Sequence, residues 1–321
     1  MERVAFAFAH WLVEQGHAID VWTGQVLGDA TGINVQTLRV GGRGVLLRAH
    51  RLRAALHRIP VEKYDAFLHF ERGGVGGVYR AGAGCHASWV EQRGYRLGDR
   101  WLTALDCASM THARGVVVNS HMVRSAVMGF YGLPAERIHL VRNAVDLNRF
   151  VPFEKTKTPT VVFPGGQVPR KGLRTAVQAV QRLPDTELLV LGKVDSRTQQ
   201  WARERHSKVR FVGQVADPER ILGAAHALVL PTLYDPSSNA VLEAMACGVP
   251  PVTTEYDGAA ELLPHPWMAV ADPLDVDGFA DVLMTVMNQP QLAEACRSIA
   301  SNHSMEICFG DLLSVMLECG T

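Results

Sequence analysis

The sequence predicts an α/β protein made of two Rossmann-like domains with parallel sheets. From residue 160 onward, short apolar runs alternate with helical patterns, which is typical of parallel sheets with right-handed crossovers. The first half shows the same alternation, and the polar, proline-bounded segment 152–159 separates the two halves. A chain of 321 residues is long enough for two such domains. We therefore expect two sheets that face each other across a cleft, with the ligand at the carboxyl ends of the strands.

In the first half, the spacing of the apolar residues predicts the helices and strands. Helical spacing covers 2–14, part of 41–58, 100–112 and the stretch from a cap at Ser120 to about Tyr131. Strand-like runs cover 18–23, 35–40, 65–70, 115–119 and 138–141. The glycine-rich segment 71–86 is predicted to be a loop that either lies close to a ligand or is simply flexible.

In the second half, strand-like runs follow one another at short intervals, with helices between them. The runs cover 160–163, 187–191, 210–212, 227–231, 249–253 and 268–271, and further helices cover 273–288, 290–301 and 303–319. These elements predict an N-terminal domain over 1–151 and a C-terminal domain over 152–302. A last helix over 303–321 could return to the first domain.

Composition indicates a globular protein with an ample core, because 47% of the residues are hydrophobic and 20% are charged. No apolar run is long enough to span a membrane, and no signal peptide is visible. The cysteines are scattered without a C-x-x-C pair, at Cys85, Cys107, Cys247, Cys296, Cys308 and Cys319. This spacing predicts reduced thiols of a cytoplasmic protein and argues against disulfides or a zinc site.

Positive charge is concentrated in the first half, although the whole chain is neutral. The segment 39–58 contains no acid and carries Arg39, Arg43, Arg48, Arg51, Arg53 and Arg58. It is either a solvated helix face or a contact with an anionic membrane surface or an acidic substrate. It lacks the interleaved aromatic residues that would indicate nucleic-acid binding, so we expect no nucleic-acid partner.

The stretch 234–255 predicts a loop, a short helix and a buried strand. Pro236, Ser237 and Ser238 are helix-start residues, and Gly248 followed by Pro250 ends the apolar run that they begin. The free N–H groups at such a helix start form a ready anion site.

Glu243 is the only charged residue between Asp235 and Glu255. A carboxylate in so apolar a helix is unfavourable unless a group hydrogen-bonds it, and the vicinal diol of a ribose offers two donors. The segment could therefore bind a sugar, a phosphate and a ribose, the parts of a sugar nucleotide. The alternative is structural, with Glu243 paired to an arginine or a backbone group and Asp235 a turn residue.

A second candidate site follows the strand at 160–163. Gly165 and Gly166 form a loop, and a helix is predicted to start near Arg170 and Lys171. Two cations at a helix N-terminus are unfavourable unless an anion such as a diphosphate binds there. The loop lacks the spacing of an ATP-hydrolysing P-loop. The alternative is a pair of exposed cations that point to water.

These residues resemble the family 4 glycosyltransferases of GT-B fold. The specific matches lie in the second half: Gly165-Gly166 with Arg170-Lys171-Gly172, Val212-Gly213, Leu230-Pro231-Thr232, the Asp235-x7-Glu243 pair and Leu242 through Pro250. In the first half, Val118-Asn119-Ser120, Arg124 and Arg142 through Asp146 also fit. The segment from Tyr79-Arg80-Ala81-Gly82 to Cys85-His86 is most similar to lipopolysaccharide-core glucosyltransferases.

The resemblance implies transfer of a hexose from a UDP-sugar, with retained anomeric configuration and without a metal or further cofactor. The acceptor would be a cell-envelope glycan or glycolipid such as the lipopolysaccharide core, bound by the first domain. By the same resemblance, Arg170 and Lys171 hold the diphosphate, Glu243 binds the ribose diol and Asp235 contacts the donor sugar. The nucleotide would also be lined by Gly165, Gly166 and the backbone of Asn239, Ala240 and Val241.

Three features depart from the family pattern. Asp235 stands where glutamate is usual, and Ala83 stands where the lipopolysaccharide relatives often carry an acid. His86 is the nearest ionisable replacement for that acid and is a catalytic candidate, with a structural role as the alternative. The chain opens at the family's first helix, so we expect the first strand of the N-terminal domain to be missing.

Two main hypotheses follow. One is an active retaining transferase, and the other is a truncated, inactive remnant that still binds sugar nucleotides. A GT-B epimerase is a weaker third reading, because such an enzyme would be expected to carry more acids in the first half.

Overall fold

The computed structural model describes residues 2–24, 30–38, 45–74, 76–166 and 168–320, which fall into two compact units. The first unit comprises Met1–Arg142 and Cys308–Thr321, and the second comprises Asn143–Ile307. All strand pairs described in both units are parallel. The predicted α/β class with parallel sheets is therefore confirmed.

The first unit contains two parallel sheets. Its strands are β1 (Asp20–Thr23), β2 (Asn34–Thr37), β3 (Leu68–His69), β4 (Val78–Arg80), β5 (Gly115–Val118) and β6 (Ile138–Leu140). Its helices are α1 (Glu2–Glu14), α2 (Val45–Leu56), α3 (His86–Arg93), α4 (Asp99–His112) and α5 (His121–Tyr131). Strands β1 and β2 pair with each other, and the other sheet has the order β3-β4-β5-β6.

Part of the glycine-rich segment of the first unit is regular structure, so the prediction of a continuous loop over 71–86 is wrong. Val78–Arg80 forms β4, and its three residues are buried between β3 and β5. Helix α3 begins at His86, directly after the N-cap Cys85. Gly77 shows why the glycines are needed, since a Cβ there would lie 2.3 Å from the carbonyl oxygen of Phe67.

The second unit is organised around one six-stranded parallel sheet. Its strands are β7 (Thr160–Pro164), β8 (Glu187–Leu191), β9 (Val209–Gly213), β10 (Ala227–Val229), β11 (Pro251–Thr254) and β12 (Ala269–Val270). Its helices are α6 (Val168–Lys171), α7 (Leu173–Gln181), α8 (Ser196–Arg205), α9 (Pro218–Ala224), α10 (Asn239–Ala246), α11 (Val276–Met287) and α12 (Leu292–Ser301). A final helix, α13 (Met305–Cys319), follows.

The strand order in this sheet is β12-β11-β10-β7-β8-β9. The chain builds outward from β7 in one direction and then outward from β10 in the other, which is the doubly wound Rossmann arrangement. Its core is one continuous apolar cluster that includes Val161, Leu188, Leu228, Val252 and Phe279, all without solvent exposure. The direction of winding reverses between β7 and β10, and ligands of such sheets bind outside the carboxyl ends of the strands at that point.

Residues just before the predicted linker 152–159 pack with the second unit. Val145 and Phe150 belong to the apolar core of that unit, and the backbone N–H of Val145 donates to the carbonyl of His303. At the other end of the chain, Phe309 of α13 lies 5.3 Å from the ring of Phe8 and 6.0 Å from Trp11 in the first unit. All six cysteines are free thiols.

Candidate functional site

The candidate site in the second unit lies at the carboxyl ends of β7 and β10, where the winding of the sheet reverses. Gly165 and Gly166 follow β7 directly, and Asp235 follows β10 after a short extended segment. Because β7 and β10 are parallel neighbours, both loops leave the same edge of the sheet. The two stretches that the sequence analysis singled out separately therefore converge at one place.

Glycine occupies the two positions after β7 for different structural reasons. A Cβ on Gly165 would lie 1.5 Å from the carbonyl oxygen of Leu191, so glycine is required there by the close approach of β8. Gly166 has a φ of +79°, and, apart from its chain neighbours, none of the residues that the structure describes has an atom within 4 Å of a Cβ built on it. Gly165 thus allows the strands to meet, while Gly166 leaves open space beside the backbone.

The cations do not start a continuous helix, so that part of the prediction is wrong. Arg170 and Lys171 form the last turn of the four-residue helix α6, and Gly172 separates it from α7. Gly172 has a φ of +73°, and a Cβ there would lie 2.0 Å from the carbonyl oxygen of Pro231. The left-handed glycine breaks the helix and seats α6 against the loop after β10.

Arg170 connects α6 to the loop that carries Asp235. Its Nη1 lies 3.3 Å from Asp235 Oδ2 and also donates to the carbonyl of Tyr234. The backbone carbonyl of Arg170 accepts from the N–H of Leu233 at 2.8 Å. The guanidinium and the carboxylate are one-fifth and about one-eighth exposed, at 20% and 12%, so the pair is reachable from solvent.

Lys171 is half-buried, as Arg170 is. Its Nζ donates to the carbonyls of Pro164 at 3.3 Å and Gly165 at 3.4 Å, at the end of β7. Burial lowers the pKa of Lys171, while Asp235 and Glu243 act to raise it. The ammonium group is thus electrostatically coupled to both acids of the predicted motif. The structure brings together Arg170, Lys171 and Asp235, which the sequence analysis assigned to one site, and the charge of Glu243 also acts on Lys171.

Helix α10 begins and ends where the sequence predicts. Ser238 is its N-cap, and its side chain makes no capping hydrogen bond. Gly248, with a φ of +66°, ends it in a Schellman motif in which Val249 N–H donates to the carbonyl of Ala244 at 2.9 Å. The N–H groups of Asn239, Ala240 and Val241 open the helix and have no acceptor within it.

Asn143 braces the start of α10. Its Nδ2 donates to the carbonyl of Ser237 at 2.9 Å and to Asn239 Oδ1 at 2.7 Å. Glu243 lies one turn further along α10 than Asn239 and is half-buried. The carboxylate therefore lies on the same helix face as Asn239, one turn after the N-terminal N–H groups.

Asp257 belongs to this cluster and was missed by the sequence analysis. It is buried, and its Oδ1 accepts from the N–H groups of Ser238 at 3.0 Å and Ala259 at 2.9 Å. Burial and the nearby charge of Asp235 raise the pKa of Asp257 to about 7. An acid three residues beyond a strand of this sheet was the available signal, since β11 is the neighbour of β10.

His86, the remaining catalytic candidate, lies in the first unit. Its Nε2 is 3.2 Å from Asp99 Oδ1, and Arg93 Nη2 is 2.5 Å from the same oxygen. Burial, more than the nearby Arg72, lowers the pKa of His86 and favours the neutral ring. The hydrogen bond from Arg93 holds the pKa of Asp99 at about 2. The imidazole is thus held by an ion pair that the sequence analysis did not predict.

Asp106 is the centre of a buried polar network beneath His86. It accepts from Arg72 Nε at 2.6 Å, from the Tyr131 hydroxyl at 2.9 Å and from the backbone N–H of His86 at 2.9 Å. Burial raises the pKa of the Tyr131 hydroxyl. This network fixes the start of α3.

The basic segment 39–58 is described only in part. Arg39 and Arg43, and the side chain of Arg48, lie outside the described residues. Arg51, Arg53 and Arg58 are exposed. Among the residues that the structure describes, none of the helices is both long and apolar enough to cross a membrane.

Two family models match this chain in succession. The model described as Glycosyltransferase Family 4 matches residues 1–149, and the model described as Glycosyl transferases group 1 matches residues 158–289. Together they cover most of the sequence. The chain belongs to the family 4 glycosyltransferases. This membership was predicted from the motifs around Arg170 and Glu243 and is confirmed.

Individual relatives are distant. A glycogen synthase of Mycobacterium tuberculosis is 27% identical over 240 residues, which are 68% of this chain and 56% of the relative. This chain therefore matches little more than half the length of that protein. Among solved structures, the lipopolysaccharide glycosyltransferase WaaG superposes with a TM-score of 0.82 at 19% identity, covering 98% of this chain and 95% of the other.

A second solved structure was determined with a ligand. Anabaena Alr3699/HepE, in complex with UDP-glucose, superposes with a TM-score of 0.71 at 16% identity. The superposition covers 93% of this chain and 100% of the other. At such identities the likeness establishes the fold, which is GT-B.

Proposed function

We propose that this protein is a retaining hexosyltransferase that uses a UDP-sugar as donor and acts without a metal. Its acceptor is a cell-envelope glycan or glycolipid, with the lipopolysaccharide core as the preferred class. The observation that carries the proposal is the convergence of Arg170, Lys171, Asp235 and α10 at the reversal point of the sheet in the second unit. Family membership and the name of WaaG support the reaction class and the acceptor class.

Different residues bind different parts of the donor. Arg170 offers a fork of N–H donors to the diphosphate and Lys171 adds a second positive charge. Both charges oppose the negative charge that develops on the departing nucleotide, which lowers the barrier to transfer. The two cations supply this stabilisation from the protein itself, which is why we propose a metal-independent reaction.

The α10 segment binds the other parts of the donor. The N–H groups of Asn239, Ala240 and Val241, at the start of α10, meet a phosphate, and Glu243 accepts two hydrogen bonds from the ribose diol. Asp235 contacts a hydroxyl of the transferred hexose. The bound UDP-glucose of the Anabaena structure supports a uridine nucleotide as the donor.

The first unit binds the acceptor in this proposal. A catalytic role of His86 stays a prediction, since the contact with Asp99 also gives the ring a structural function. The exposed arginines Arg51, Arg53 and Arg58 contribute to a peripheral contact with the anionic inner face of a membrane, so that a cytoplasmic enzyme reaches a lipid-linked acceptor.

A transfer assay tests the proposal. Radiolabelled UDP-hexoses are screened against isolated core glycolipids, and we expect label to reach the glycolipid from one of them. The Arg170→Ala variant should lose transfer, while Arg210→Ala, which removes an arginine that is 69% exposed and paired with Glu187, should keep it. UDP binding without transfer to any acceptor would instead support a binding protein, and absence of UDP binding would contradict the site itself.

A further inference from the structure

Asp257 and Asp235 are held side by side by the backbone. The N–H of Asp235 donates to the carbonyl of Tyr256 at 2.9 Å, and the N–H of Gly258 donates to the carbonyl of Asp235 at 2.8 Å. This parallel bridge ties the loop after β10 to the segment after β11. Asp257 is only 1% exposed and Asp235 is 9% exposed. Two carboxyl groups therefore share one partly closed region.

The hydrogen bonds of Asp257 are best satisfied by a protonated carboxyl group. Its Oδ2 lies 3.0 Å from Thr253 Oγ1, which also lies 3.0 Å from the carbonyl oxygen of Leu230. A threonine hydroxyl has a single hydrogen, and a carbonyl oxygen can only accept. If Asp257 is ionised, one of these two contacts has no hydrogen. If Oδ2 carries a proton, it donates to Thr253, and Thr253 donates to Leu230.

The other carboxyl oxygen of Asp257, Oδ1, acts only as an acceptor. Oδ1 accepts from the N–H groups of Ser238 and Ala259, at 3.0 Å and 2.9 Å. Ser238 is the N-cap of α10, so the carboxyl group of Asp257 fixes the residue from which that helix starts. A neutral acid makes all of these hydrogen bonds without adding charge to the helix start.

The charged groups around Asp257 favour the neutral form. Asp235 is the nearest acid and is paired with Arg170 at 3.3 Å, so a second ionised carboxyl group beside it is disfavoured. Lys171 is the opposing cation and acts on both acids. The elements that pack around Asp257 carry two more acids, Glu243 on α10 and the exposed Glu261 in the short 3-10 helix Gly258–Leu262, whose N-cap is Asp257.

We propose that Asp257 is a positioning residue that must carry a proton for the nucleotide site to bind a diphosphate, so that donor binding takes up a proton. This inference rests on the proposed function. Ionisation of Asp257 would place a negative charge at the start of α10, where the phosphate binds. The site would then repel its ligand, although its hydrogen-bonding geometry to Ser238 would be unchanged.

The Asp257→Asn variant tests this proposal. Asparagine keeps the acceptor for Ser238 and Ala259, and its amide donates to Thr253 as the protonated acid does. UDP binding is measured by calorimetry for both proteins at about pH 6 and about pH 8. The phosphate of UDP also changes its protonation in this pH range, but it does so equally for both proteins. The comparison is therefore between the pH dependence of the two affinities. From pH 6 to pH 8 the wild type should lose about tenfold more affinity than the variant.

Equal pH dependence in the two proteins would overturn the proton linkage while leaving the nucleotide site in place. No UDP binding by the wild type at either pH would overturn the proposed function instead.

A measurement on the wild type alone covers the case of a variant that does not fold. Calorimetry at about pH 7.5 in buffers of different ionisation enthalpy should show uptake of between about half and one proton per UDP, after correction for free UDP. Zero uptake would also overturn the proposal.

Discussion

Replacing Gly165 by alanine should separate the ends of two strands in the second unit, whereas the same change at Gly166 should not. A Cβ on Gly165 would lie 1.5 Å from the carbonyl oxygen of Leu191 and 2.6 Å from its carbon, and Cβ contacts under 3.0 Å essentially never occur. Pro164 and Leu191 are paired in the ladder between β7 and β8, so the strand ends must move apart. Overpacking of this kind costs about 3 kcal/mol of unfolding free energy or more.

Gly166 provides the matched control. Within the described part of the chain, and leaving aside its two neighbours in sequence, no atom lies within 4 Å of its Cβ position, so we expect an alanine there to meet only the strain of a positive φ. That strain is about 1–2 kcal/mol, and the smaller entropy of the unfolded alanine chain offsets roughly 0.4–1 kcal/mol of it. We therefore expect a net loss of about 1 kcal/mol, and a difference of about 2 kcal/mol or more between the two variants.

Equilibrium unfolding in urea, followed by circular dichroism, measures this difference. The slope of the transition should be the same in both variants if the folded and unfolded states are otherwise alike. UDP affinity provides a second reading, because Gly166→Ala should weaken binding through added bulk beside the ligand while leaving the fold intact. Equal loss of stability in the two variants would refute the reasoning from Cβ distances.

Two further predictions concern buried acids. Asp106→Asn should lower the unfolding free energy by about 2–4 kcal/mol, because it leaves the partly buried Arg72 without its counter-charge. Unfolding in urea measures this loss. A loss below about 1 kcal/mol would contradict the prediction. Asp257→Asn should change how stability depends on pH. Since the pKa of Asp257 is raised from 3.8 to about 7, the stability it confers is complete below about pH 4 and is lost as the pH rises to about 7. Between about pH 4 and about pH 7, the unfolding free energy of the variant should rise relative to that of the wild type, by at most about 4 kcal/mol. Unfolding curves at several pH values measure this change. A difference in unfolding free energy that stays the same at every pH would count against the raised pKa.

Much of the second unit was predictable, because its signals are local. Ser238 before α10 and Gly248 after it mark where that helix starts and ends, and Gly248 allows the local hydrogen bond from the N–H of Val249 to the carbonyl of Ala244. The strand Glu187–Leu191 was predicted without error, since it is a single apolar run that is buried in the sheet. Glu243 was identified because it interrupts an apolar helix, and Asp235 because it begins the acid-x7-acid motif that ends at Glu243.

The missed features depend on contacts that are distant in sequence. Asp257 gains its role from Ser238, nineteen residues away, and from the bridge to Asp235. Strand β4 is three residues long and lies among glycines, so its apolar pattern is too short to stand out. The break between α6 and α7 arises because Gly172 packs on the carbonyl of Pro231, which no local pattern reveals.

The network around His86 was hidden for the same reason. Asp99 and Asp106 lie thirteen and twenty residues after His86, on α4, and only the packing of α3 against α4 brings them to the imidazole. The sequence therefore indicated an ionisable group in this segment but not the ion pair that holds it.

One measurement tests most directly whether Arg170 and Glu243 serve a single nucleotide site: calorimetric titration of UDP into the wild type, Arg170→Ala, Glu243→Ala and the surface control Arg210→Ala. Loss of a charge-assisted hydrogen bond is worth about 1.5–3 kcal/mol, so each site variant should bind UDP roughly 10- to 100-fold more weakly. The Arg210 variant should bind like the wild type. UDP affinity that is unchanged by both Arg170→Ala and Glu243→Ala would contradict the account.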